Sequence, residues 1–245
     1  SMNHIYSIVW NNLTKQWVVT SEKTKSNRKK KTLIIASLLL SVFHEYAFAA
    51  CVDNYQATAG AASDVCVFAG SSYNYINSTA GGTSVTMTAP TVTVSATASS
   101  YAAVYVANNG AVNFNNNAVV SAIGRRHGIS IDTNSSATVG GDLTATGSTS
   151  DNSRPVVIDT GSSLTVHGNM DLKSISSQGG AAIEVGPASN VYVDGNTTLH
   201  SIKATAARLY GTSLFKGNVT AISTAILDTY PGIVASGNNV FMKNL

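Results

Sequence analysis

The chain has 245 residues, a formal charge of +3 and only 11% charged residues. Two cysteines exclude a disulfide-dense mini-protein, and 44% hydrophobic residues exclude a highly charged disordered chain. Seven of the 15 basic residues lie in the first 31 positions. The basic balance therefore belongs to the N-terminus and gives no support for nucleic-acid binding.

Arg28-Lys29-Lys30-Lys31 is the densest basic run, and Leu33 to Phe43 follows as an apolar core. Ala47-Phe48-Ala49 then places small residues at the minus-three and minus-one positions of a cleavage site. Together they read as a secretory signal peptide over residues 1–49, cut between Ala49 and Ala50. The apolar core is short for a bilayer span. Without this leader the chain keeps eight Lys and Arg against ten Asp and Glu, a net of −2.

A signal peptide needs only a few residues before its apolar core; here there are about thirty. Met2 to Asn11 and Trp17 to Glu22 carry Asn-His-Ile-Tyr-Ser-Ile-Val-Trp-Asn and Trp-Val-Val-Thr-Ser-Glu. These blocks resemble the extended signal peptide region of large Gram-negative autotransporters and related secreted adhesins. His4 departs from the lysine most common there. The resemblance implies export through the inner membrane and periplasm, then passage through an outer-membrane translocator barrel. The cell surface or the medium is the expected destination.

Residues 50–100 read as an N-terminal cap. Cys51 and Cys66 are the only cysteines, and export puts them in an oxidising compartment, so a disulfide is expected. Phe48-Ala49-Ala50-Cys51 also reads as a poor lipobox, which would acylate Cys51 and leave Cys66 unpaired. Val85 to Thr88 and Thr91 to Val94 read as the first strands.

From residue 101 to 245 the sequence repeats. The columns Ile131/Ile158/Val185, Ala137/Leu164/Val191, Val139/Val166/Val193 and Gly141/Gly168/Gly195 recur at a spacing of 27. Val104, Val106, Val112 and Phe114 fit an earlier copy at 25, and Leu214 to Asn218 a later, shorter one. Self-similarity at this period marks a solenoid. Within each copy the apolar period is two, with β-branched residues cut by Gly, Asn, Asp and Ser. The expected fold is all-β, a right-handed parallel β-helix whose stacked coils bury a shared core. Asn169 and Asn196 occupy one column and predict a stacked amide ladder. Ala204–Arg208 and Ala225–Pro231 break the spacing and predict protruding loops. The repeats are expected to continue beyond Leu245.

Sites of chemistry are few. Asp132 and Asp159 stand one repeat apart, a spacing that fits a carboxylate pair for glycoside hydrolysis or calcium. Each also ends a strand before a turn, where a carboxylate is ordinary capping chemistry. Arg125-Arg126-His127 reads as an exposed basic turn, with acidic-glycan binding as the sharper alternative. Ser213-Leu214-Phe215-Lys216 matches Ser-x-x-Lys, but on a strand the two side chains point to opposite faces. Asn-x-Ser/Thr sequons at Asn77, Asn134, Asn196 and Asn218 follow from the composition. No catalytic residue, metal ligand set or cofactor site is expected, and no enzymatic activity.

Two-partner secretion exoproteins carry Asn-Pro-Asn motifs after a similar leader, and this chain has none. Trimeric adhesins have shorter left-handed repeats. The remaining resemblance is to monomeric autotransporters with a pertactin-like β-helical passenger. It implies an adhesin for host attachment or for cell aggregation and biofilm. The expected partners are the secretion machinery, a host protein or glycan, or a second copy. A polysaccharide-degrading β-helix and an inert stalk presenting a further domain are the alternatives.

Overall fold

A computed structural model describes residues 6–11, 16–21, 51–53, 56–96, 101–124, 126–224 and 232–243. The chain divides into two compact units, Ser1–Phe48 and Ala49–Leu245. In the first, Tyr6–Asn11 and Gln16–Ser21 pair as an antiparallel hairpin with Trp10 opposite Trp17. Ala47, Ala49 and Ala50, the expected cleavage residues, lie outside the described residues.

The second unit is a parallel β-solenoid built from three sheets of nine, eight and seven strands, and no helix occurs among the described residues. From Gln56 onward each coil contributes one short strand to each sheet in turn, so sequence-consecutive strands lie in different sheets. Successive coils pair in register: Ile131 with Ile158, Ile158 with Val185, Leu164 with Val191, Val166 with Val193. These columns are the ones read from the 27-residue repeat. The earlier copy also falls where expected, with Val104 beside Ile129 and Phe114 beside Val139.

Alternation inside each strand builds the core. Ser163–Val166 buries Leu164 and Val166 and leaves Ser163 and Thr165 half-exposed; Met170–Ser174 alternates strictly. A single coil offers only a handful of apolar side chains. Stacking makes one continuous core from Ala57 to Val219, in which Ile131, Ile158, Leu164, Ile183 and Phe215 are fully buried.

Residues 50–100 hold more than a covering segment. Gln56–Thr58 and Val65–Phe68 pair in parallel with Tyr75–Ser78 and Ser84–Met87, so the coils already run here. Among the described residues of this stretch only Val52–Asp53 is antiparallel, closing the free edge of Gln56–Thr58. A disulfide joins Cys51 to the buried Cys66, with Cα atoms 5.6 Å apart. It ties the closing strand to the first coil. Restricting the unfolded chain over this short loop contributes about 3 kcal/mol.

Turns between coils are fixed by polar columns. At the corner between the second and third sheets, the side-chain oxygens of Asn117, Asp142, Asn169 and Asn196 accept the backbone N–H of Asp142, Asn169, Asn196 and Asn218 in turn, at 2.7–3.0 Å. The expected Asn169/Asn196 ladder is thus five residues long; backbone N–H groups donate to its side-chain oxygens, and Asn169 Nδ2 adds a bond to Asp142 Oδ1 at 3.2 Å. At the corner between the third and first sheets, the hydroxyls of Ser174, Ser201 and Ser223 donate to the carbonyls of Ser153, Gly180 and Ala204. Each serine pins the loop of the adjoining coil.

Ala204–Arg208 does not protrude. Ala204, Thr205, Ala206 and Ala207 are buried, because the Ser201 hydroxyl holds the Ala204 amide and draws the short loop onto the core. The other expected loop, Ala225–Pro231, lies outside the described residues.

Candidate functional site

The outer face of the first sheet differs from the other two. Where the second sheet presents half-exposed Ser, Thr and Asn and the third presents exposed Thr144, Asp171 and Lys173, the strand His127–Ile131 is buried along its whole length. Tyr101, Tyr105, Arg126, Arg154, Glu184 and Arg208 gather beside it.

Ala102, His127 and Arg154 form the first column of this sheet, ahead of the point where Val104, Ile129 and Val156 enter the core. The corner between the third and first sheets thus turns His127 and Arg154 away from the apolar interior. His127 is 1% exposed, so it is not part of an exposed basic turn. Its Nδ1 accepts the Arg154 amide at 3.3 Å, which leaves the ring proton on Nε2. The ring also meets Tyr101 edge-on at 5.1 Å. Burial, with the neighbouring Arg154 and Arg126 charges, pushes His127 down to about 3, so the imidazole is neutral at physiological pH.

Tyr101 is 45% exposed. Tyr105 flanks it at 5.4 Å, and the Arg126 guanidinium sits 5.9 Å from its ring centre. Arg125 lies outside the described residues. Further along the same face, Glu184 receives two arginines: Arg154 Nε at 3.0 Å and Arg208 Nη1 at 3.2 Å. The Arg154 Nε makes no hydrogen bond there, so its contact with Glu184 is charge pairing. Arg208 also donates to the carbonyl of Gly179, on the loop held by Ser201. Burial lowers Arg154 from its ordinary value; Glu184 opposes this, while Arg208 and Arg126 add to it. Two guanidiniums thus share one carboxylate, with the Arg126 charge acting on Arg154 from nearby.

Sequence reading singled out Arg126 and His127 but not the charges that meet around them. Glu184 stands 30 residues from Arg154 and 24 from Arg208, and neither interval is the 27-residue repeat. Arg208 lies beside Glu184 in one column, one shortened coil on, whereas Arg154 reaches Glu184 from three positions away along the neighbouring strand.

The other expected sites resolve differently. Asp132 and Asp159 both follow first-sheet strands, and each carboxylate accepts the N–H of the next residue, Thr133 at 2.7 Å and Thr160 at 2.9 Å. Thr133, Asn134 and Thr160 have positive φ, so the carboxylates close tight turns. Ser213 is buried, whereas exposed Lys216 pairs with Asp194 at 2.6 Å. His167 meets the other oxygen of Asp194 at 2.8 Å. The described residues hold no cluster of three or more His, Cys, Asp or Glu suited to a metal ion.

Residues 2–43 match the family model described as the extended signal peptide of the type V secretion system. Neither the curated proteins nor the solved structures contain a match to this chain. An extended signal peptide ahead of a parallel β-solenoid fits a fragment of an autotransporter passenger. The leader implies export through the inner membrane of a Gram-negative bacterium and a translocator partner beyond it.

Proposed function

We propose that the solenoid is the adhesive shaft of a surface-displayed or shed passenger, acting in attachment or in cell-to-cell aggregation by binding without catalysis. The observation that carries this reading is the outer face of the second sheet. There Ser84, Ala111, Ser136, Ser163, Asn190 and Thr212 form one column, and Thr86, Asn113, Thr138 and Thr165 lie in the next. All are half-exposed. Parallel coils repeat about 4.8 Å apart, so this face offers a grid of hydroxyl and amide groups, interrupted by Ala111 and continued by exposed Val65, Val67 and Tyr192, that a protein, a glycan or a second copy can meet with many weak hydrogen bonds and apolar contacts. Beads coated with the exported protein are expected to clump or to adhere to host cells. Coated beads that stay dispersed and bind no cells would overturn the reading.

A further inference from the structure

We propose that the Tyr101–Arg126–Arg154 cluster is a binding subsite for an acidic saccharide, a sugar ring bearing a carboxylate or a sulfate. The proposal deepens the adhesive reading and rests on it, naming the ligand chemistry of one face of the shaft.

Four observations converge. Tyr101 is a large aromatic surface exposed to solvent yet held from behind by His127 and from the side by Tyr105. A supported ring loses little freedom on contact, which favours stacking against the apolar face of a sugar. Arg126 lies over that ring and is exposed. It takes part in none of the ion pairs among the described residues, so its donors face solvent beside the platform. Arg154 has a side chain only 14% exposed, and Glu184 is divided between it and Arg208. The cluster thus carries three cations against one anion, in a mature chain whose net charge is −2. An incoming carboxylate or sulfate would relieve this crowding and meet planar guanidinium donors suited to it.

His127 contributes shape rather than charge. Its neutral ring accepts the Arg154 amide and supports Tyr101 without adding to the local repulsion. A nucleic acid fits less well, since it needs a long stripe of cations along its phosphates. Here the cations are few and clustered, so a sparsely charged chain with one anionic group per few rings matches better.

The test measures binding of the exported protein to three oligosaccharides of similar length: carboxylated without sulfate, sulfated, and neutral. Duplex DNA forms a fourth arm. Binding to either acidic sugar, with little to the neutral one, is expected; the preferred arm identifies the anionic group. Arg126→Ala and Tyr101→Ala should each weaken that binding roughly ten- to hundredfold, the size of a lost charged hydrogen bond or stacking contact. Lys216→Ala, at another corner of the solenoid, should leave it unchanged. Circular dichroism and the melting midpoint verify that the variants fold. Equal binding of the neutral sugar, tighter binding of DNA, or Arg126→Ala behaving as the parent would each overturn the proposal. Cell adhesion that survives while acidic sugars fail to bind sinks this subsite and leaves the adhesive reading standing. Loss of both sinks the two together.

Discussion

Gly195→Ala is a one-carbon test of coil stacking. A Cβ built on Gly195 would lie 2.5 Å from the carbonyl oxygen of Gly168, 2.6 Å from its carbon and 2.8 Å from the Asn169 nitrogen. All three atoms are backbone of the coil below, so no side chain can swing aside. The coils must separate locally by several tenths of an ångström. Two bonds lie in the path: Gly195 N to Gly168 O at 3.0 Å, and Asn196 N to Asn169 Oδ1 at 2.9 Å. Weakening both, at about 1 kcal/mol each, and adding local strain predicts a loss of roughly 2–3 kcal/mol. Gly81→Ala is the matched control. Its added Cβ meets only the Asn108 carbonyl at 3.8 Å, and its φ is not positive. There the smaller freedom of the unfolded chain should dominate, making the change neutral or stabilising by up to about 1 kcal/mol. Urea unfolding followed by far-ultraviolet circular dichroism gives the two midpoints, and hydrogen exchange reports the Gly195 and Asn196 amides. Because repeat arrays unfold by neighbouring units, the exchange data locate the weakening. Unchanged protection at Gly195 and Asn196, or equal destabilisation by Gly81→Ala, would refute the reasoning.

Other outcomes follow from the same structure. Cys51→Ser with Cys66→Ser should lower stability by about 3 kcal/mol, read as a fall in the urea midpoint that reducing agent reproduces in the parent and not in the double variant. Ile158→Ala removes a fully buried side chain paired with Ile131 and Val185, and should cost about 2–5 kcal/mol by unfolding midpoint. His127, held near 3 in the folded chain against 6.5 unfolded, binds its proton more readily when unfolded. Its contribution is full above 6.5 and declines as pH falls toward 3, so the melting temperature should drop across that window. The Arg126 and Arg154 charges and the Tyr101 ring surround it, so His127→Gln should flatten the slope, and the His127 NMR signal should stay neutral at pH 5. Asp194 is lowered by its hydrogen bonds to Lys216 and His167. Its contribution holds at neutral pH and fades only on acidification below the ordinary carboxylate range, so Lys216→Ala should raise its titration midpoint in NMR.

Much of the solenoid was legible because a parallel stack writes its contacts into the sequence period. Ile131, Ile158 and Val185 touch because equal coil lengths bring them around once each. Where coil length varies, the signal fades. Cys66 pairs with Val85 at an offset of 19, and Val191 with Ser213 at 22; the first offset hid coils inside the stretch expected to be a cap. The Asn117–Asn218 ladder was visible only at Asn169 and Asn196, because Asp142 serves as the same acceptor under another letter. The first-sheet cluster was half legible. The adjacency of Arg126 and His127 stood in the sequence, but burial of His127 beneath Tyr101 did not.

Period, alternation and the basic leader determined by themselves that this chain is exported and coils into stacked strands, since strand geometry ties side-chain facing to residue parity. The tertiary structure alone decided which charges meet. Arg208 meets Glu184 as its register partner across a shortened coil, and the Arg154 side chain reaches Glu184 from three positions away on the neighbouring strand, distances that the 27-residue repeat does not encode.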